Sequence, residues 1–349
     1  MSAGAEPWRA PPDDEAELER RLSDPTPALL DALRRCPGDI VVLGAGGKMG
    51  PSLARMARRA VEALGDGRRV IAVSRWSSAP AERALRDAGV ETIAADLFDR
   101  EAVARLPDAP NVVYMAGQKF GTSDAPWLTW AANAVVPAWC AERYAESRIV
   151  AFSTGNVYPL VPVASRGATE DHPLATSGEY GASCVARERV FEWSSRTRGT
   201  PVALVRLNYA VDLRYGVLVD VARRVAAGEP VDVTMGFANV IWQGDANERA
   251  LRLLEHCASP PLALNVTGAD TIRIRDVAAR IGALLGREPR FTGAEAPDAL
   301  LSDASRSERL LGSVRVVTDQ LVEWVAHWIA RGGPLLGKPT HFEARDGRY

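Results

Sequence analysis

The sequence predicts an α/β chain, a doubly wound parallel sheet followed by a smaller C-terminal lobe. Three observations predict it. Short apolar runs of strand length recur at 40–43, 69–73, 91–95, 111–115, 148–153 and 201–206, with helical patterns between them. Strands covered by helices on both faces read as near-continuous Val, Ile and Leu, as these do. The first run passes at once through Gly44, Gly47 and Gly50 into a pattern with Leu53, Met56 and Ala60 on one helical face. Beyond Arg206 the rhythm loosens into helical patterns at 216–227, 246–257, 274–285 and 317–329, joined by Gly/Pro loops and short extended pieces such as 263–266. The division this suggests is a helical extension over 1–37, the sheet domain over 38–206 and a mixed lobe with a tail over 207–349.

Composition narrows the function classes. A chain of 349 residues, 47% hydrophobic and 25% charged, holds ample material for a core. A net charge of −2 leaves no basic footprint for nucleic acid or an anionic membrane. Among 42 basic residues only Lys48, Lys119 and Lys338 are lysines, so each lysine position is informative. The four cysteines (36, 140, 184 and 257) have no CxxC spacing, which fits reduced thiols in a cytoplasmic protein and no metal site. The first twenty residues lack an apolar signal core, and no apolar run reaches membrane-spanning length.

Taken in order, residues 1–12 read as disordered. Residues 13–35 read as helical with a break at Asp24-Pro25-Thr26-Pro27; their leucines (18, 22, 29, 30 and 33) suit packing on the main body or on a second subunit. The stretch 39–58 then makes strand, glycine turn and helix, the first unit of a dinucleotide-binding Rossmann sheet. Gly44 permits the tight turn, Gly47 lets backbone approach a pyrophosphate, and Gly50 allows close helix–strand packing. Lys48 and Met49 lie in the same loop, ahead of a helix N-terminus that offers free N–H donors to phosphate.

The second strand ends at Ser74-Arg75, where this fold meets the adenosine ribose. An acidic residue there binds a 2′-hydroxyl, whereas Arg accommodates a 2′-phosphate, so NADP is favoured over NAD. The third strand is followed by Asp96-Leu97. The fourth ends in Ala116-Gly117-Gln118-Lys119, small residues that let a cofactor pass close to backbone. Within the helical pattern 125–147, Asn133 stands amid Ala, Val and Trp, either bonded to backbone or part of an active-site water network.

The fifth strand runs into Ser153-Thr154-Gly155-Asn156-Val157-Tyr158, and Glu179-Tyr180-Gly181-Ala182-Ser183-Cys184 opens a helix. With the glycine loop, Asp96-Leu97, Met115-Ala116-Gly117, Asn133, Arg206-Leu207-Asn208, Asn265-Val266-Thr267-Gly268 and Asp303-Ala304-Ser305, this order resembles the extended short-chain dehydrogenase/reductase family, the NAD-dependent epimerases and dehydratases. The resemblance runs from about residue 39 to residue 312. It implies hydride transfer at a carbinol carbon, with Tyr180 as acid/base and Thr154 sharing the substrate oxygen. It also implies a lysine four residues after the tyrosine, one helical turn along. A free phenol titrates near 10, so the family's lysine helps stabilise phenolate.

That position holds Cys184, which supplies no fixed charge. Three readings stand: another cation substitutes, with Lys119 the foremost candidate; Tyr180 works through a different relay; or the site binds cofactor without turnover. A Cys184 nucleophile lacks an assigned base. The arginine that grips diphosphate in nucleotide-sugar epimerases is also missing, with Ala238 in its place. Arg309 fills the other phosphate-associated position, and Arg214, Asn208 and Trp242 are further candidates for substrate contact. The resemblance thus implies an NAD(P)-dependent oxidoreductase or epimerase acting on a sugar, sugar acid or polyol. The alternatives are a non-redox nucleotide-sugar epimerase or dehydratase with retained cofactor, and a catalytically impaired regulator. A homodimer is the default assembly in this family.

Overall fold

A computed structural model describes residues 8–121, 124–338 and 340–347. Its centre is a seven-stranded sheet of β1 (Ile40–Leu43), β2 (Val70–Ser74), β3 (Glu91–Ala94), β4 (Asn111–Tyr114), β5 (Arg148–Thr154), β6 (Val202–Leu207) and β7 (Leu262–Val266). The order is β7-β6-β5-β4-β1-β2-β3, parallel throughout. Ile40 stands beside Val70 on one side and Asn111 on the other. The direction of winding therefore reverses between β1 and β4, and a crevice opens there beyond the strands' carboxyl ends.

Side-chain alternation along β1 builds two cores at once. Ile40 and Val42 face a cluster with Leu29, Leu33, Leu53 and Met56, whereas Val41 and Leu43 face one with Val112, Cys140 and Phe191. The first cluster draws on α2 (Pro27–Arg35) and α3 (Gly50–Leu64). Just before α2 lies α1 (Glu15–Leu22), and the Pro25-Thr26-Pro27 break separates the two as expected. Thr26 caps α2 by accepting from the Leu29 amide at 3.1 Å, with Pro27 at the helix start. The leucines of this arm pack on the chain itself.

Two expectations need correction, and a third point left open is decided. The piece at 263–266, expected in the smaller lobe, is β7: it pairs in parallel along the full length of β6, from Leu262 opposite Ala203 to Val266 opposite Leu207. An apolar β6 edge otherwise left unpaired explains why the chain returns to the sheet. Residues 8–12, expected to be disordered, are placed: the Ala10 carbonyl accepts from Arg21 at 2.6 Å, and the Arg21 guanidinium lies over the Trp8 ring. Residues 1–7 lie outside the described residues. The tail, read as either flap or frayed end, folds back on the body. Thr340 donates to Asp220 at 2.6 Å and Phe342 is buried.

The smaller lobe has its own core, in which helices Val217–Ala227, Ile274–Leu285 and Thr318–Ala330 bury Val221, Ile281, Trp324 and Trp328 with Leu18 and Leu22 of α1. No helix among the described residues is long and apolar enough to cross a membrane.

Candidate active site

Two adjoining cavities fill the crevice at the β1/β4 reversal. The outer one, about 430 Å³, is lined by Ser74, Arg75, Asp96, Leu97 and Ala116. The inner one, about 280 Å³, is lined by Lys48, Met49, Gly50, Lys119, Thr154, Tyr180 and Asn208. Gly44, Gly47, Met115, Gly117 and Gln118 line both, so the two form one cleft. An elongated ligand of dinucleotide size fits such a volume.

The glycine loop shows why the cleft is open. Gly44 has a φ of +84°, and a Cβ there would stand 2.6 Å from the Ala116 amide nitrogen. Any side chain would part β1 from β4. Gly47 is different. Its φ is ordinary, and a Cβ would meet only the Gly44 carbonyl oxygen, at 3.5 Å. Nothing in the fold requires glycine at 47, yet a side chain there would project into both cavities. That cradle fits a dinucleotide whose pyrophosphate lies against backbone at the start of α3.

The candidate catalytic side chains enter from β5 and from α4 (Gly178–Arg198). Thr154 ends β5, and its Oγ1 accepts from the Asn156 amide at 3.2 Å and from Asn156 Nδ2 at 3.1 Å. Tyr180 sits in the first turn of α4, hydrogen-bonded to Thr154 and to Cys184. Burial and the Cys184 thiol push the Tyr180 phenol well above its usual range, whereas Arg187 and Thr154 pull it down. Cys184 is fully buried, lines neither cavity, and burial raises its thiol pKa. It lies behind Tyr180 and contributes no atom to the cleft lining.

The cation that acts on Tyr180 is Arg187, not Lys119. Arg187 lies seven residues after Tyr180, two turns along the same helical face, and lines the inner cavity. It is 5% exposed. Its guanidinium donates to the Phe152 carbonyl at 3.0 Å and to Asn133 Oδ1, and Nε has no partner. The i, i+7 spacing was the available signal. Lys119 also lines the inner cavity, close to Cys184. Burial lowers Lys119 to about 8. Lys48 likewise falls to about 8 through burial, opposed by Asp212. Its Nζ reaches away from the glycine loop, donating to the Ala210 carbonyl at 3.1 Å and lying 4.0 Å from the Tyr215 ring centre.

Several expected contacts are placed elsewhere. Asn133 is wholly buried at a π-helical turn (Ala131–Val135), bonded to Gln118 backbone at 2.9 Å on both sides and to Ser183 at 2.9 Å. It positions the Gly117–Lys119 segment and Arg187 and does not reach the cleft. Trp242, expected against substrate, is fully buried and packs edge-on to Trp324 at 5.6 Å. Arg214 is held by Asp212, Glu15 and Glu19, two of which come from α1. Arg309 is exposed and lines neither cavity. Asn208 does line the inner cavity, with its amide donating to the Leu300 carbonyl at 3.3 Å.

Beneath the site a buried pair fixes α4 to the sheet. Arg206 on β6 holds Glu188 through Nε at 3.0 Å and NH2 at 2.8 Å, and Ser153 donates to the same carboxylate at 2.6 Å. Arg206 also reaches the Tyr158 hydroxyl, which donates to Asn265 on β7. Removing one partner from such a buried pair costs about 3–5 kcal/mol. This network sets Thr154 against Tyr180 and Arg187.

A parallel sheet with a ligand cleft at its winding reversal, a glycine loop after β1 and a Thr–Tyr pair across the cleft define a dinucleotide-dependent class of protein. Residues 40–245 match the model of the NAD dependent epimerase/dehydratase family, and the chain belongs to that family. A comparison with curated proteins finds no match. Among solved structures it is similar to UDP-glucose 4-epimerase of Thermus thermophilus in complex with NAD (21% identity, TM-score 0.68, 84% of this chain and 99% of that one). It is similar to the dTDP-glucose 4,6-dehydratase DesIV of Streptomyces venezuelae (18% identity, TM-score 0.70, 84% and 97%). UDP-glucose 4-epimerase of Thermotoga maritima is a third (17% identity, TM-score 0.68, 84% and 99%). At these identities the likeness concerns the fold.

Proposed function

We propose that the chain is an NAD(P)-dependent oxidoreductase or epimerase of the extended short-chain type, acting on a hydroxyl or keto group of a sugar, sugar acid or similar polyol. The observation that carries this reading is the bonded Thr154–Tyr180 pair at the inner end of a cleft whose other end is the glycine loop. Gly44, Gly47 and the start of α3 would hold the pyrophosphate, and Ser74, Arg75, Asp96 and Leu97 the adenosine half. A bound nicotinamide supplies hydride acceptance or return. Tyr180 moves the proton at the substrate oxygen, Thr154 orients that oxygen, and Arg187 provides fixed positive charge on the tyrosine's own helix.

Exposed Arg75 with no acidic side chain at the end of β2 supports NADP over NAD. Titrating both oxidised cofactors tests this: tighter NADP binding that Arg75→Ala erases is expected, and equal NAD binding contradicts it. The ion-paired Arg214, the exposed Arg309 and buried Ala238 favour a small polyhydroxylated substrate over a nucleotide sugar. Incubation with either cofactor and a carbohydrate panel separates the readings. Accumulating reduced cofactor supports the oxidoreductase; an epimerised product without it supports a retained cofactor; binding without turnover supports a regulator. Exposed Trp127, Trp130 and Trp193, with Trp130 bonded to Glu179 of α4, support a homodimer across this helical face.

A further inference from the structure

The end of the chain comes back to the cleft. Residues 334–338 are exposed throughout, after which the tail turns inward and buries Thr340, Phe342 and Gly347. Thr340 lines the inner cavity beside Gly216 and Val217, where the lobe helix Val217–Ala227 begins. It is held there by that helix: its amide and its hydroxyl donate to Asp220 at 2.9 and 2.6 Å. Phe342 takes a place in the lobe's apolar core. Arg345 pairs with the Asp298 carboxylate and donates to the Asp298 carbonyl at 2.9 Å.

At its far end the tail crosses the start of α4, the helix that carries Tyr180. Gly347 and Gly178 both have a φ of +73°. A Cβ on Gly178 would collide with the Gly347 carbonyl, and one on Gly347 with the Ser177 carbonyl. Backbone thus lies against backbone two residues before Tyr180, which glycine at both positions permits. Ser177, the N-cap of α4, makes no side-chain capping bond, so the crossing falls on a helix end with little restraint of its own. Between its anchors the tail fills space continuous with the site. Asn156 lines the inner cavity and also a residual cavity of about 20 Å³, walled by Tyr158, Met235 and Leu300 of the body and by Ala344, Arg345 and Gly347 of the tail. That space holds about one water molecule. The groove that continues the cleft past Asn156 is filled by the chain's own end.

We propose that the tail, residues 340–347, is a wall of the substrate subsite: it plugs the groove beyond Asn156, limits the inner cavity to a ligand of monosaccharide size, and holds the turn that carries Tyr180. This deepens the functional reading above and rests on it. With the cofactor's adenosine half in the outer cavity, a substrate prolonged by a nucleotide would extend into the groove that Ala344, Arg345 and Gly347 occupy. Thr340 is the tail residue that meets the substrate, and Gly347 is a positioning residue that acts through Gly178.

The test compares the full chain with a chain ended after Lys338. The tighter-binding of NADH and NADPH is bound to each, and acrylamide quenching of its fluorescence reads solvent access at the inner cavity. Removing the tail is expected to raise the quenching constant severalfold. Amide hydrogen exchange over 179–184 is expected to quicken about tenfold while β1 stays unchanged, which separates loss of a local restraint from general destabilisation. Should the shortened chain fail to fold, Gly347→Val, which keeps Thr340 and Phe342, is expected to quicken the same amides by driving the tail off Ser177. UDP-glucose, a nucleotide sugar, is expected not to bind the cofactor-saturated full chain up to about 1 mM, and a lower dissociation constant overturns the inference. Unchanged quenching of the bound cofactor overturns it, and so does unchanged exchange at 179–184. A full chain that binds neither NADH nor NADPH defeats the functional reading, and the exchange comparison then decides the tail's hold on the Tyr180 turn by itself. Cofactor bound with equal quenching in both chains defeats this inference alone.

Discussion

Replacing Arg187 by Met deletes the fixed positive charge on Tyr180's helix while keeping an unbranched side chain of similar reach. The spacing of seven residues amounts to roughly 10 Å of axial rise. At that separation, an effective dielectric of about 20 gives about 1.7 kcal/mol between arginine and phenolate. This corresponds to about 1.2 pH units. Both side chains lean toward the helix N-terminus, so the axial rise serves as the charge separation. The sign follows from the charge: losing the cation disfavours phenolate and raises the tyrosine pKa. In the oxidation direction, where deprotonated Tyr180 accepts the proton, the rise of kcat/KM with pH should move upward by about one unit. Arg187→Lys should restore most of the original position. The loss of the bond to the Phe152 carbonyl costs stability of about 1–3 kcal/mol, checked by thermal unfolding. Asn133 keeps its Gln118 bonds, so the loop beside it stays placed. An unmoved pH profile in a folded, NAD-binding Arg187→Met protein refutes the reasoning.

Two further variants probe the cleft. Gly47→Val should leave the melting temperature nearly unchanged, because a Cβ at 47 meets only ordinary contact, yet abolish NAD binding by calorimetry; retained affinity would place the phosphates elsewhere. Cys184→Ser should be nearly silent in turnover because the thiol is a buried spacer, whereas a large loss would assign it chemistry.

The β1–loop–α3 unit, the strands to β6 and the Thr154–Tyr180 pair were legible because each is written locally, in apolar runs, glycines and hydroxyl side chains at strand and helix ends. β7 was not, since its five residues gain meaning only against the β6 edge some sixty residues earlier. Arg214 looked available for substrate because nothing near it in sequence shows that Glu15 and Glu19 of α1 fold over it. Trp242 looked equally suited to stacking on a sugar, and its burial against Trp324 depends on a helix eighty residues away. Arg187 was hidden for a different reason. The resemblance directed attention to one turn after Tyr180, and the charge stands two turns after it.

The central claim is that Tyr180 moves the proton in nicotinamide-dependent chemistry at this cleft. It is tested most directly by the steady-state rate of Tyr180→Phe, followed by the absorbance of the reduced cofactor, on a carbohydrate that the native chain turns over. The account predicts a loss of about 10²–10⁴-fold in kcat, the usual range for a positioned acid/base, with NAD affinity little changed because only a hydroxyl is removed. Near-native turnover by Tyr180→Phe would contradict it.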